Sequence, residues 1–531
     1  MRGFLKHVFL ASLFIAGSSS LMHGQNDDPY DLPLLLINTN GAEILDDPKI
    51  TAQLQVLNNT NGLNFPTDTS YEYNGQISIE IRGSTSQIHP KKSFSFETQG
   101  LDGSNNNVSL LGMPEENDWV LYAPYADKSL MRNVLAYHWS NALGHYAPRT
   151  VYCEVFLNGE YMGVYVLTEK IKRDAARVDV PKMNASDSAG DSLTGGYIVK
   201  IDKLTGATCQ GFSTDSIGMY IQYEYPKCSD ITTEQQAYIS SYINAFEDAL
   251  YAANFSDTAS GYRRYLDVNT AIDYLIMNEL SRNIDAYLLS TFLTKDRGSN
   301  GGKLSFGPVW DFNIAFGNED VEGFPTHGLI ADHTFWWSRL YEDTSFARGV
   351  QNRWNGLREN LFSDQRLSQT IDSLADFLHA AQGRNYYKWD VLDEYVWPNY
   401  YMGPTYEDEV RFLKSWLLNR VNWLDNNISL GIGTLANPLA YDATVFPNPF
   451  DYFITCSFEL QERSNVSVYM IDPLTPTHTD VLVADKSYEA GNHKLVWNSL
   501  VNGAMVSSKM YLLVIEVNGR VVTKEKIIHK F

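Results

Sequence analysis

Between residues 30 and 200 apolar residues tend to recur at every second position. Ile77, Ile79 and Ile81 alternate with Ser78, Glu80 and Arg82, and Phe94 and Phe96 alternate with Ser93, Ser95 and Glu97. That period of two predicts half-buried strands. Leu34 to Ile37 reads as a further, apolar strand. Val151–Leu157 and Glu160–Thr168 flank Asn158-Gly159, a pair that supplies the positive φ values of a type I′ hairpin turn. One helix interrupts this sheet: Asp127 is a candidate N-cap, Met131, Leu135, Trp139 and Ala142 follow at helical spacing, and Gly144 is a natural stop. From about residue 231 the period becomes helical. One helix begins near Asn269 and carries Ile272, Ile276 and Leu280 on its apolar side, aromatic-rich helices follow between Phe335 and Tyr387, and Val410, Leu413, Leu417, Val421 and Leu424 mark the last. Residues 428–444 read as a linker broken by Gly431, Gly433 and Pro438. Beyond it, six alternating runs between Phe453 and Ile528 predict a small β-sandwich.

The pattern therefore predicts an α+β chain divided into residues 1–24, 30–427, 428–444 and 445–531. The first of these has a positively charged start, an apolar run from Val8 to Ala16 and then small residues. It reads as a signal peptide cleaved near Gly24–Gln25. No other apolar run reaches spanning length, so no transmembrane segment is expected after its removal. A formal net charge of −22 argues against sequence-independent nucleic-acid binding, which needs cationic neutralisation of phosphates. In an exported chain Cys209 and Cys228 are expected to form a disulfide, and Cys153 to be a buried free thiol.

Two constellations carry chemistry. Gly83-Ser84-Thr85-Ser86, followed by Lys91 and Lys92, is a small-residue loop whose N–H groups and lysines can cradle phosphates. The second runs from Asp285, after a helix, through a strand, the turn Asp296–Gly302 and a return strand to Asp311-Phe312-Asn313. A hairpin folded about Gly298 would bring Asp285 and Asp311 face to face at its open end. Two carboxylates that close repel, and a divalent cation between them relieves the repulsion. Helix, Asp, hairpin, then Asp-Phe-x is the order of a protein kinase's catalytic half, where the first Asp handles the acceptor hydroxyl and the second holds metal. Ser290 stands where that loop usually carries Asn.

IRGSTSQIHPKKSFSFE, WVLYAPYADKSLMRN, FLNGEYMGVYVLTEKI, GGYIVKIDK and VWDFNIAFGN, in this order, resemble the CotH-type atypical kinases over roughly residues 33–427. The resemblance implies a divergent, two-lobed kinase-like fold that uses ATP and Mg2+ or Mn2+ to phosphorylate protein serine or threonine. It implies phosphate contacts from Arg82 and from Lys91 or Lys92, and a place for Glu169 near an adenine-binding hinge. Asp285 becomes the catalytic or metal-linked acid and Asp311 the metal ligand. Asn313 joins the metal set at a position where many relatives have Asp. The tail, with VFPNPF, GNHKLVWN and KEKIIHK, resembles the C-terminal sorting domain of type IX secretion substrates. That implies a Bacteroidetes-type source, the type IX machinery as a partner, and a secreted or outer-surface location.

The leading expectation is thus a secreted CotH-like kinase. Its alternative is a non-catalytic adhesin or a nucleotide-binding pseudokinase on the same fold, and a sugar hydrolase with paired carboxylates stands third.

Overall fold

The computed structural model describes residues 29–203, 211–319, 326–331, 334–428, 439–446, 453–471, 479–498, 500–501, 504–505, 510–518 and 520–529. The signal-peptide segment, Cys209, most of the linker and most of VFPNPF lie outside the described residues.

The α+β class holds, with strands first and helices after. The period-two segments do more than form a sheet: seven strands close into a barrel. Leu34–Asn38, Ile50–Leu57, Tyr73–Arg82, Ser93–Gln99, Asp118–Tyr122, Glu160–Glu169 and Thr150–Leu157 pair in that order. All neighbours are antiparallel except the closing pair, where Leu34–Ile37 runs parallel to Glu154–Leu157. Closure removes the exposed edges that an open sheet would leave. Ile77, Ile79, Phe94, Phe96, Trp119, Cys153 and Tyr165 fill the interior. The Asn158-Gly159 turn has φ 52° and 83° as its type requires. Cys153 is a buried free thiol, as expected. Cys228 is disulfide-bonded.

A second sheet of five strands follows, ordered Gly211–Ser213, Tyr220–Tyr225, Tyr197–Ile201, Thr291–Lys295 and Leu304–Phe306. The helices Arg132–Ala142, Thr233–Tyr251, Val268–Ser281, Phe335–Tyr341, Thr344–Arg358, Asp364–Phe377, His379–Lys388 and Tyr406–Asn427 build the largest apolar core with it. Thr232 and Gln235 form a reciprocal capping box at the start of Thr233–Tyr251. Asp127 lies four residues before the cap position and is not the N-cap. Met131 occupies the cap position, while the Asp127 carboxylate accepts from Arg132 N at 2.8 Å and from the Arg132 guanidinium at 2.6 Å.

In the C-terminal part the six expected runs are all strands, joined by Leu439–Phe446. They form a three-stranded and a four-stranded sheet with a hydrophobic cluster of their own, Ile454, Phe458, Val466, Met470, Leu513 and Ile515 among its members. No helix among the described residues is long and apolar enough to cross a membrane.

Candidate active site

A cleft of about 720 Å³ opens between one end of the barrel and the loops that flank the second sheet. Arg82, the Gly83–Ser86 loop, Tyr122 and Lys170 line it from the barrel side, and Lys200, Asp202, Asp285, Ser290, Asp311 and Asn313 from the other.

Asp285 reaches the cleft because the helix before it is stopped abruptly. Asp267 caps that helix by accepting from Asn269 N at 3.0 Å, and Arg282 ends it in the left-handed region at φ 45°. The chain then coils through Tyr287 at φ 71° and Ser290 at φ 48° before strand Thr291–Lys295 begins. Leu289 N closes a turn onto Asp285 O at 2.9 Å.

Asp311 is held from the helix Arg132–Ala142. Asp311 N donates to the Tyr137 hydroxyl at 3.2 Å, and Phe312 N donates to Asn133 Oδ1 at 2.6 Å. Asp311 itself sits at φ 64°, in the left-handed region that a non-glycine residue adopts at a cost. Trp310, just before it, stacks on Tyr137 with centroids 5.9 Å apart. The Arg82 guanidinium lies over the Trp310 ring, 5.3 Å from its centroid.

The route by which the two aspartates meet differs from the expected one. The hairpin pairs Leu293 with Phe306 and Lys295 with Leu304, so its centre falls between residues 299 and 300. Extending that register would set Asp285 opposite Ile314. Both strands also end early, at Thr291 and Phe306. The carboxylates share the cleft through two irregular loops, not through facing ladder positions.

Their electrostatics are unusual. Burial and the neighbouring Asp285 charge push the Asp311 carboxyl up to about 6, against the pull of Arg82. Burial also raises Asp285, with Lys203 opposing. Burial lowers Arg82, with Asp311 the largest opposing charge. The Asp285 and Asp311 carboxylates, the Arg82 guanidinium and the Asn313 amide form no hydrogen bond or ion pair with any described residue. Among the described residues no group of three His, Cys, Asp or Glu side chains is placed to hold a metal ion.

Three expected residues do not line the cleft. Lys91 is 2% exposed and donates to Val164 O at 2.5 Å and Asn385 Oδ1 at 2.8 Å, fastening the barrel to the helix His379–Lys388. Burial pulls its ammonium down to about 7. Lys92 donates to Gln87 O at 2.5 Å and closes the loop it follows. Neither lines the cleft, which corrects the expectation that one of them would approach the aspartates. Glu169 is fully buried, accepting from Arg149 N at 3.0 Å and Tyr146 Oη at 3.2 Å. Strand alternation turns its neighbours Thr168 and Lys170 toward the cleft instead.

The cleft cations are Arg82, Lys170, Lys200 and Lys203. Lys200, Asp202 and Lys203 were visible in the sequence as the alternating end of GGYIVKIDK.

The family model described as CotH kinase protein matches residues 79–424, more than half of the chain. No curated protein matches. Among solved structures, the Pseudomonas fluorescens alkylpurine DNA glycosylase AlkC, bound to DNA containing an abasic site analog, aligns at TM-score 0.16 and 12% identity. That alignment covers 38% of this chain and spans about half, 51%, of the glycosylase chain, and so low a score carries no argument.

Proposed function

We propose a function for this chain from the premise that it belongs to the CotH kinase protein family: it transfers the γ-phosphoryl group of ATP to serine or threonine hydroxyls of a protein. The observation that carries this reading is the set of unengaged charges at the cleft. Asp311 and Asp285 repel each other, opposed by the charges of Arg82 and Lys203 but by no hydrogen bond from a described residue, and the Arg82 guanidinium, packed on Trp310, has no ion pair with a described residue. Such a set is complete only with a cation and an anion present together, which is what a metal–nucleotide complex brings.

Asp311, Asp285 and Asn313 are the residues that would hold Mg2+ or Mn2+. Two carboxylates without a third fit a metal that takes its remaining ligands from phosphate oxygens and water. The bound metal would neutralise charge on the phosphates. Arg82 would bind phosphate oxygens in its planar fork, with Lys203 and Lys170 adding positive potential. In the transfer, the acceptor oxygen bonds to the γ-phosphorus as the bond to the β–γ bridging oxygen breaks. ADP leaves with that electron pair, and the hydroxyl proton passes to the Asp285 carboxylate. The two-lobed kinase-like arrangement belongs to this reading, with the barrel above the cleft and the helical core below. So do export by the residue 1–24 signal, a sorting role for residues 445–531 with the type IX machinery as partner, and a secreted or outer-surface location.

Isothermal titration of ATP in the presence of Mn2+ and in EDTA, followed by labelled-phosphate transfer to protein, tests the reading. Metal-dependent ATP binding with transfer supports a kinase. Binding without transfer makes the protein a pseudokinase, and absence of binding removes the function altogether.

A further inference from the structure

We propose that Asn133 binds the nucleotide: its amide nitrogen donates a hydrogen bond to a phosphate oxygen, while its amide oxygen holds the turn that carries Asp311. The inference rests on the phosphoryl-transfer reading above.

Asn133 lies in the first turn of the helix Arg132–Ala142, lines the cleft and is only 6% exposed. Its Oδ1 accepts from Phe312 N at 2.6 Å. A backbone N–H can be met only by the oxygen of the amide, so the orientation of the group is fixed. Nδ2 bonds no described residue, and it is not sealed from the open cleft. A primary amide nitrogen carries two N–H donors. A side chain buried this deeply with both donors unused is a hydrogen-bonding group held for a ligand.

The chemistry of that ligand follows from charge. An N–H cannot meet a metal cation, and neither the Asp285 nor the Asp311 carboxylate accepts a hydrogen bond from Nδ2. The acceptor therefore enters with the ligand. Arg82, Lys170, Lys200 and Lys203 line the same cleft, and their charges favour an anion. A phosphate chain reaching a metal at Asp311 passes beside Phe312 and so beside Asn133. A neutral donor suits this place, because a lysine or arginine here would pair with Asp311 and compete with the metal for its carboxylate. The helix N-terminus is not itself the anion site, since the Asp127 carboxylate already accepts from Arg132 N at 2.8 Å.

The donor is also fixed in advance. Tyr137, one turn along the same helix face, accepts from Asp311 N at 3.2 Å. Arg132 Nε donates to Ala315 O at 3.1 Å, and the Asp127 carboxylate holds the Arg132 guanidinium at 2.6 Å. Three side chains of one helix thus pin residues 311–315, and the Asn133 amide needs no rearrangement when phosphate arrives.

Titration calorimetry of the full chain, with Mn2+ alone and with ATP in the presence of Mn2+, tests the assignment. Asn133→Asp keeps an oxygen for Phe312 N and exchanges the donor for a carboxylate oxygen. ATP affinity should fall about 10- to 100-fold, the effect of losing a hydrogen bond to a charged group. Affinity for Mn2+ alone should be no lower than in the wild type, because the new carboxylate adds to Asp285 and Asp311. Asn133→Ala loses both atoms and should weaken ATP binding by a larger factor than Mn2+ binding. Unchanged ATP affinity in Asn133→Asp would make Asn133 a positioning residue only and overturn the proposal. So would equal falls in ATP and Mn2+ affinity in either variant, since both losses would then come from a displaced Asp311. A wild type that fails to bind ATP with Mn2+ overturns instead the function on which the assignment rests.

Discussion

Glu279 and Asp311 are both acids in the interior half of the same chain, and the protein treats them in opposite ways. Glu279 is fully buried and fully engaged: Arg420 Nη2 donates to it at 3.0 Å, Tyr287 Oη at 3.1 Å, Ile330 N at 3.1 Å and Ala331 N at 2.8 Å. Asp273 and Asp343 follow the same rule. Arg353 and His145 hold the first at 2.7 and 2.8 Å, and Arg263 and Tyr262 hold the second at 2.8 Å each. At the cleft the rule is suspended for Asp285, Asp311 and Arg82 together. Asp285, Asp311 and Arg82 are half-buried, and charges partly withdrawn from water cost free energy unless paired, so a fold that pairs Glu279, Asp273 and Asp343 and leaves these three without a hydrogen bond or ion pair to any described residue is storing an unfavourable arrangement at one place. The difference separates charges that hold the fold from charges that await a ligand.

The sharpest way to break this comparison is Asp311→Asn. If the carboxylate is kept for a metal and nucleotide, its loss should reduce phosphoryl transfer by about 10³-fold, comparable to removal of a preorganised electrostatic group, and remove most metal-dependent ATP binding while the chain stays folded. Titration calorimetry and circular dichroism read the two outcomes separately. Unchanged ATP affinity would place Asp311 among the structural acids.

Glu279→Gln is the converse. It leaves Arg420 buried without its countercharge, so urea unfolding should report a loss of ~3 kcal/mol, with ATP affinity of the folded fraction unaltered. Should Glu279→Gln be neutral in stability while weakening ATP binding, the division between the two kinds of acid would fail.

Asp285→Asn should fall between the two. If its carboxylate takes the acceptor proton, turnover drops by about 10²-fold, with ATP binding much less affected. A parallel fall in both would make Asp285 chiefly a metal ligand.

Much of the fold was legible because the relevant signals are local. The Asn158-Gly159 turn, the helix carrying Ile272, Ile276 and Leu280 and the tail strands all follow from spacing of two or of 3.6 and from turn chemistry. Barrel closure was not legible. It depends on Leu34–Ile37 lying beside Glu154–Leu157, residues more than a hundred apart with nothing in either run to name the other. At the site, Asp285, Asp311, Asn313 and Arg82 were recognised and share the cleft. The loop route between the aspartates was missed because four positive-φ residues, Tyr287, Ser290, Gly307 and Asp311, interrupt what alternation alone reads as continuous strand. Lys91 was misplaced for a different reason. A lysine after a small-residue loop reads as a phosphate contact, whereas its burial is set by Asn385, nearly three hundred residues away.

The smallest expected effect is the most diagnostic, because its sign differs between the two regions. For Asp273 and Asp343, whose pKa values are lowered by hydrogen bonds and ion pairs that outweigh burial, stability is present above the unfolded pKa and is lost as pH falls. For Asp311, raised from 3.8 to about 6, the folded state binds more protons than the unfolded state between those values. Its contribution is therefore full below pH 3.8 and disappears as pH rises through about 6. The raised pKa corresponds to ~3 kcal/mol undiscounted, and solvent reaching the carboxylate through the cleft cuts this to ~1–2 kcal/mol. Asp285 is raised as well and adds in the same direction, the two titrating as a coupled pair. The measurement is a difference: urea stability of the wild type minus that of Asp311→Asn, in EDTA, at pH 4.5 and pH 7.5. The neutral amide should make the variant the more stable of the two at pH 7.5, and the gap should narrow toward pH 4.5. Mn2+ should reverse the order at pH 7.5 by stabilising only the wild type, and should do less at pH 4.5, where protons compete for the same carboxylate. A wild type more stable than Asp311→Asn at pH 7.5 in EDTA would show that Asp311 has an engaged partner after all, and the contrast with Glu279 would be gone.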